Sequence, residues 1–247
     1  MMIIDFHAHN TLRETDILLQ SALRNGISKV VLLGDVLRFG YYPTEAQIRE
    51  INDDTIHAVK KVPDLCYGFC FLNPANDPSF MLEELDRCLQ EHAIKGVKLE
   101  VSVNCRDDLL HPVMEKLQEY NLPLLHHCWY KTVGKCKDES DPSDIAYLAR
   151  LFPSVKMVMA HLAGCGYRGI EDIVECPNVY VDTSGGQPVA GLVEYAVRRL
   201  GSARILFGSD APYRDVTCQL GRICGAALDE ESKDRILYRN AKDLLKS

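Results

Sequence analysis

Met2-Ile3-Ile4-Asp5-Phe6-His7-Ala8-His9 opens the chain with an apolar, β-favouring run that ends in two histidines. A run this short and this apolar suits a strand buried on both faces. Seven more of the same kind follow, at 28–34, 65–72, 94–100, 122–127, 155–161, 179–184 and 204–209, the first strand itself covering 2–7. Between them the stretches 14–25, 44–61, 78–91, 109–120, 142–152, 169–175, 188–199 and 229–245 carry Leu, Ile and Ala at spacings of three and four, the helical period. Thr44, Asp77 and Asp141 are placed as N-caps, and Asn25-Gly26 and Leu200-Gly201 as helix ends. Eight strand–helix units predict parallel strands joined by right-handed crossovers, which close most economically into an α/β fold of the (β/α)8 barrel type. An open doubly wound sheet is the rival. No Pro/Gly/Ser-rich linker divides residues 1–247, so the reading is one single domain.

Composition narrows the function. The 247 residues carry 28 Lys+Arg against 35 Asp+Glu, a net charge of −7. An acidic chain without a basic block lacks the footprint of a nucleic-acid or anionic-membrane binder, which leaves a small-molecule substrate as the expected partner of a single chain or a homo-oligomer. The amino terminus has no basic n-region, Asp5 interrupts what a signal peptide needs to be apolar, and no apolar run approaches the roughly 20 residues of a membrane span, so the expected location is cytoplasmic. Ten cysteines lie scattered without a Cys-x-x-Cys pair and read as reduced packing residues.

Polar residues gather where the strands end. In an extended chain i and i+2 share a face, so His7 and His9 point the same way at the carboxyl end of the first strand. The fifth run ends in His126-His127, the sixth in His161 and the eighth in Ser209-Asp210. Barrel enzymes work at this end, and neutral imidazoles with a carboxylate are the donors that suit zinc and its neighbours. Asp5, two residues before His7, is read either as a hydrogen-bond support or as a plain structural aspartate. The long connections 35–43 and 129–140 fall at the same end and are expected to border the site.

These residues resemble the amidohydrolase superfamily, and within it the amidohydrolase-related (family 2) branch of metal-dependent hydrolases and decarboxylases. The matching pieces are Ile4-Asp5-Phe6-His7-Ala8-His9, Gly96-Val97-Lys98-Leu99-Glu100, Leu122-Pro123-Leu124-Leu125-His126-His127-Cys128-Trp129, Met159-Ala160-His161-Leu162-Ala163-Gly164 and Leu206-Phe207-Gly208-Ser209-Asp210-Ala211-Pro212, in family order over nearly the whole chain. The resemblance implies that His7, His9, His127 and Asp210 hold a divalent metal, one Zn2+, with Asp210 and His161 as acid/base residues. The family spacing Pro-x-x-x-His-x-Trp selects His127 over His126, which is then expected to face the helices. Lys98 and Glu100 share a face of strand four, where two-metal members place a bridging ligand; with His161 they are the residues for a second ion or for substrate. Glu100 stands where branch members carry histidine.

What the resemblance implies is a metal-dependent hydrolase whose metal-activated water attacks a C–N or C–O bond of a small carboxylate, amide or lactone. A non-oxidative decarboxylase of an unsaturated or aromatic acid is the alternative, and a catalytically silent metal-binding protein a third reading. Trp129, Tyr213 and Arg214, on loops after strands, are the residues expected to grip the substrate. Gly164-Cys165-Gly166-Tyr167-Arg168-Gly169 matches Gly-x-Gly-x-x-Gly, but it follows strand six rather than opening the first βαβ unit, so a dinucleotide site is not expected.

Overall fold

All eight apolar runs become strands, because their β-branched and aromatic residues fit a sheet that is covered on both faces. The computed structural model describes residues 2–11, 15–186 and 188–246. β1 (Ile4–Ala8), β2 (Lys29–Leu32), β3 (Cys66–Leu72), β4 (Ile94–Leu99), β5 (Leu124–His126), β6 (Met157–Met159), β7 (Val179–Asp182) and β8 (Ile205–Leu206) pair in chain order, each neighbour parallel. The ring closes where Phe6 N–H donates to the Phe207 carbonyl at 2.9 Å and His9 N–H to the Ala211 carbonyl at 2.7 Å. The fold is a single-domain (β/α)8 barrel. No helix among the described residues is long and apolar enough to cross a membrane.

Eight helices return the chain between and after the strands: α1 (Thr15–Arg24), α2 (Glu45–Lys61), α3 (Pro78–Leu89), α4 (His111–Tyr120), α5 (Pro142–Leu151), α6 (Leu162–Ile173), α7 (Leu192–Leu200) and α8 (Val216–Cys224). α9 (Glu230–Asp234), a π-helical turn and α10 (Asn240–Leu244) fill the last expected segment. Asp77 caps α3 by accepting from Ser79 N–H and Phe80 N–H, and Asp141 caps α5 by accepting from Ser143 N–H. Residue 14, the expected start of the first helix, lies outside the described residues.

Two elements differ from the sequence reading. α6 begins at Leu162, directly after β6, rather than at 169, and bends at Gly166 with φ +64°. Its glycines weaken the helical signal, yet Gly164 is what the packing demands: a Cβ there would lie 2.6 Å from the Trp129 ring. α8 falls between the last expected strand and the last expected helix, in a stretch for which the sequence pattern predicts no element. It is short and contains Gly221, but Asp215 caps it by accepting from Cys218 N–H at 2.8 Å, and Val216, Gln219 and Ile223 bury one face.

Two layers of apolar side chains position the site. Ile4, Phe6, Val31, Leu33, Phe69, Leu125, Val158, Ala160 and Leu206, from six strands, fill the barrel interior, and Leu244 and Leu245 close it below. A larger cluster packs the outer strand faces against the helices. The interior plug stops below the strand ends, so residues beyond it open onto a cavity at the carboxyl face.

Candidate metal centre

β1 delivers the first donors. Its register with β2 slips between Asp5 and Ala8, and Asp5 Oδ1 accepts from the backbone N–H of His7 (3.2 Å) and of Ser209 (2.9 Å), tying β1 to the end of β8. Asp5 thereby holds the backbone of a candidate ligand and braces the closure of the barrel. Burial pushes the Asp5 carboxyl up to about 7. His7 then packs against Gly208, where a Cβ would lie 2.8 Å from that of His7; only glycine admits the imidazole.

Asp210 and His161 reach the same point by backbone conformation. Both are left-handed, with φ +61° and +71°, a region that costs a non-glycine residue roughly 1–2 kcal/mol. In return each strand end turns its side chain inward. Asp210 N–H donates to the His7 carbonyl at 2.7 Å, and His161 N–H to Asp182 Oδ1 at 3.1 Å.

Four acceptors converge as a result. His7 Nε2 lies 3.2 Å from His9 Nε2 and 3.7 Å from Asp210 Oδ1, and His9 Nε2 is 3.4 Å from that same oxygen. His7, His161 and Asp210 each offer a ligand atom within 4.8 Å of the others. Ligands at about 2.1 Å in a tetrahedron stand about 3.4 Å apart, the spacing seen here. The second nitrogen of each ring is already committed. His7 Nδ1 faces Asp182 Oδ2 at 2.7 Å, His9 Nδ1 the Gly34 carbonyl at 3.2 Å and His161 Nδ1 the Cys128 carbonyl at 3.3 Å. Because those oxygens only accept, each Nδ1 carries the proton and each Nε2 presents a lone pair. Lone pairs and a carboxylate at such distances repel unless a cation lies between them, so these residues fit a divalent metal.

Burial drives His161 down to about 3, keeping the ring neutral. Asp210 is pushed up by burial but held well below the ordinary carboxylate range by the surrounding histidines. Asp182 feels the same opposition, and His7 wins, leaving it at about 2.

β5 contributes differently. His127 Nε2 donates to Glu139 Oε1 at 2.9 Å, while Nδ1 stands 3.4 Å from Glu100 Oε2; its ring lies beside that of His161, centroids 4.9 Å apart. His126 pairs in register with Leu99 and Met159, which pack against the helices, and burial drives it down to about 4. Lys98, buried on β4, pairs with Glu100 Oε1 at 2.8 Å, outside hydrogen-bond geometry. Burial would raise Glu100, but Lys98 and His127 hold it at about 2.

Above these residues lies a cavity of about 350 Å³. Trp129, Tyr213 and Arg214 line it, joined by Tyr41, Lys131 and Glu139. Both long connections therefore border the site, and Tyr42 O–H bridges them by donating to Asp138 Oδ2 at 3.1 Å. Asp182, Lys131 and Glu139 were missed by the sequence reading. Asp182 carried a signal, a lone carboxylate at a strand's carboxyl end; Glu139 sits in an aperiodic loop and carried none.

The chain belongs to the amidohydrolase family, whose model matches residues 4–246. It is thus a metal-dependent enzyme of that family, and the resemblance read from the sequence is borne out. A search of curated proteins found no match. Among solved structures, 5-carboxyvanillate decarboxylase from Sphingomonas paucimobilis is 16% identical, with 99% of each chain covered and a TM-score of 0.78. A dihydroxybenzoic acid decarboxylase from Polaromonas sp. JS666, with bound manganese and 2-nitroresorcinol, is 17% identical over 99% of this chain and 96% of that one, TM-score 0.74. A candidate 2-pyrone-4,6-dicarboxylic acid hydrolase from Pseudomonas putida is 18% identical over 99% and 97%, TM-score 0.71. At such identities the likeness speaks to the fold.

Proposed function

We propose that His7, His9, His127 and Asp210 hold one divalent ion, with His161 beside them, and that the centre hydrolyses a C–N or C–O bond of a small carboxylate, amide or lactone. The observation that carries this reading is the convergence of three Nε2 lone pairs and a carboxylate, each imidazole locked from behind by an acceptor. Zinc is the ion favoured by so nitrogen-rich a set, and the pairing of Lys98 with Glu100 supports a single ion rather than a bridged pair. A bound divalent ion supplies Lewis acidity and lowers the pKa of water from 15.7 towards about 7.

The chain's own groups do the rest. Asp210 Oδ2, 3.9 Å from His161 Nε2, is placed to take a proton from water and return it to the leaving group. With its proton on Nδ1, His161 accepts at Nε2 and so orients that water instead of donating to a developing oxyanion. Trp129, Tyr41 and Tyr213 offer flat walls to the substrate, and the Arg214 guanidinium donates to the carbonyls of Gly185 and Tyr213 and pairs with no carboxylate among the described residues, leaving its charge for a substrate carboxylate. Decarboxylation is the second reading, favoured by the decarboxylases among the solved neighbours; there Asp210 would deliver its proton to carbon.

Metal analysis of chelator-free protein tests the proposal. About one equivalent of divalent ion is expected, and His7→Ala should lose most of it; full retention in that variant would refute the ligand set. Among candidate acids and lactones, release of CO2 marks the decarboxylase and its absence from a turned-over substrate the hydrolase.

A further inference from the structure

One buried carboxylate in the wall of the centre takes no part in the chemistry above. Glu139 lies at the far end of the 129–140 connection, its side chain wholly buried. Oε1 accepts from His127 Nε2 at 2.9 Å and from Lys131 Nζ at 2.7 Å, and Oε2 accepts from the Cys136 N–H at 3.0 Å. The same turn is fastened through its backbone, since Trp129 N–H donates to the Ser140 carbonyl at 3.2 Å and Asn104 Nδ2 to that of Glu139 at 3.3 Å. A single side chain therefore joins the end of β5, the loop that covers it and a cation of the cavity wall.

Burial alone would push Glu139 up, but the hydrogen bonds from His127 and Lys131 hold it down at about 2, so it is a carboxylate facing three donors. The arrangement repeats that of Asp182 behind His7 on the opposite side of the centre. The Nε2 proton of His127 is committed to Glu139, and Nδ1 is the atom turned towards Glu100 Oε2 at 3.4 Å, a separation at which a proton or a cation must lie between ring and carboxylate.

We infer that Glu139 is the positioning residue of this site: it holds the Nε2–H of His127, presenting Nδ1 inward, and seats Lys131 and Trp129 of the covering loop against the cavity. Carboxylates behind metal-site histidines act in this way, and losing one typically costs roughly 10–100-fold in metal affinity. As regards the ion, the inference rests on the proposed metal centre; as regards the loop, it stands without it.

The chain supplies its own reporter. Trp129 is the one tryptophan; its ring centroid lies 5.2 Å from that of His161, and Lys131 Nζ is 5.6 Å from it. Chelator-treated whole protein is titrated with Co2+ while Trp129 emission is followed, and acrylamide quenching is measured on the metal-free form. Glu139→Ala should weaken Co2+ binding by about 10–100-fold and raise acrylamide quenching at least about twofold as the loop releases the indole. Glu139→Gln retains one acceptor oxygen and should fall between; it also serves if the alanine variant does not fold. Glu171→Gln, which removes an exposed pair with Arg199, should move neither signal. Folded Glu139 variants with Co2+ affinity within about twofold of wild type, or with unchanged acrylamide quenching, overturn the inference. If wild type itself binds no Co2+, the metal reading fails, and acrylamide quenching unchanged in Glu139→Gln still refutes the positioning role.

Discussion

Asp182→Asn probes the support behind His7, and its cost can be worked from the hydrogen bonds. Oδ2 accepts from His7 Nδ1 at 2.7 Å; Oδ1 accepts from the N–H of His161 at 3.1 Å, from the N–H of Ser184 at 3.0 Å and from the Ser184 hydroxyl. The side chain is fully buried, so water replaces none of these partners. Asparagine has one acceptor oxygen and a donor nitrogen. Aimed at His7, that oxygen leaves two backbone N–H groups facing an NH2; aimed at the backbone, it leaves His7 Nδ1–H facing one. At about 1–3 kcal/mol for each orphaned buried donor, the variant should lose roughly 2–4 kcal/mol, which for a chain of this size lowers Tm by about 5–12 °C. Metal affinity should fall about 10–100-fold, because the ring of His7 is no longer held in its coordinating tautomer. Urea unfolding at neutral pH and a metal titration of the chelated protein measure the two effects. A variant within about 0.5 kcal/mol of wild type with unchanged metal affinity would refute the reasoning.

His126→Ala should lower stability by about 1–3 kcal/mol in urea unfolding while metal content stays at the wild-type level, since the ring faces Leu99 and Met159 rather than the cavity; loss of metal would show that the β5 register is wrong. Asp210→Asn should keep the fold and reduce turnover by about 10²–10⁴-fold on any substrate identified, and near-normal turnover by the metal-loaded variant would move the acid/base role to His161. Glu84, buried between Arg49, Arg87 and Asn52, is pushed up by burial but held below its ordinary 4.5 by hydrogen bonds from Arg87 and Asn52. A lowered folded-state pKa stabilises above the unfolded value and is lost as pH falls through the folded one. The stability gap between wild type and Glu84→Gln should therefore be widest above pH 4.5 and close on acidification; a gap independent of pH would contradict this.

The barrel and the identity of its polar rim were written in the sequence, because both follow from local chemistry. Runs apolar on both faces can only be strands under two covers, and a His or Asp following such a run falls at the rim whatever the loops do. β1 and β5 were thus placed by pattern, and alternation put His7 and His9 at the mouth, whereas the choice of His127 over His126 came from the family resemblance. What pattern could not supply was anything decided by a partner distant in the chain. α6 exists despite its glycines because the indole of Trp129 needs the space at Gly164, and that contact spans two βα units. The inward turn of His161 and Asp210 depends on left-handed backbone that their residue types do not demand. Asp182 and Glu139 acquire their meaning only when closure of the barrel sets one behind His7 and folding of the loop sets the other behind His127. The sequence by itself determined which donors reach the carboxyl face; tertiary structure decided which nitrogen of each histidine looks inward, because a tautomer is fixed by the acceptor on the far side of the ring.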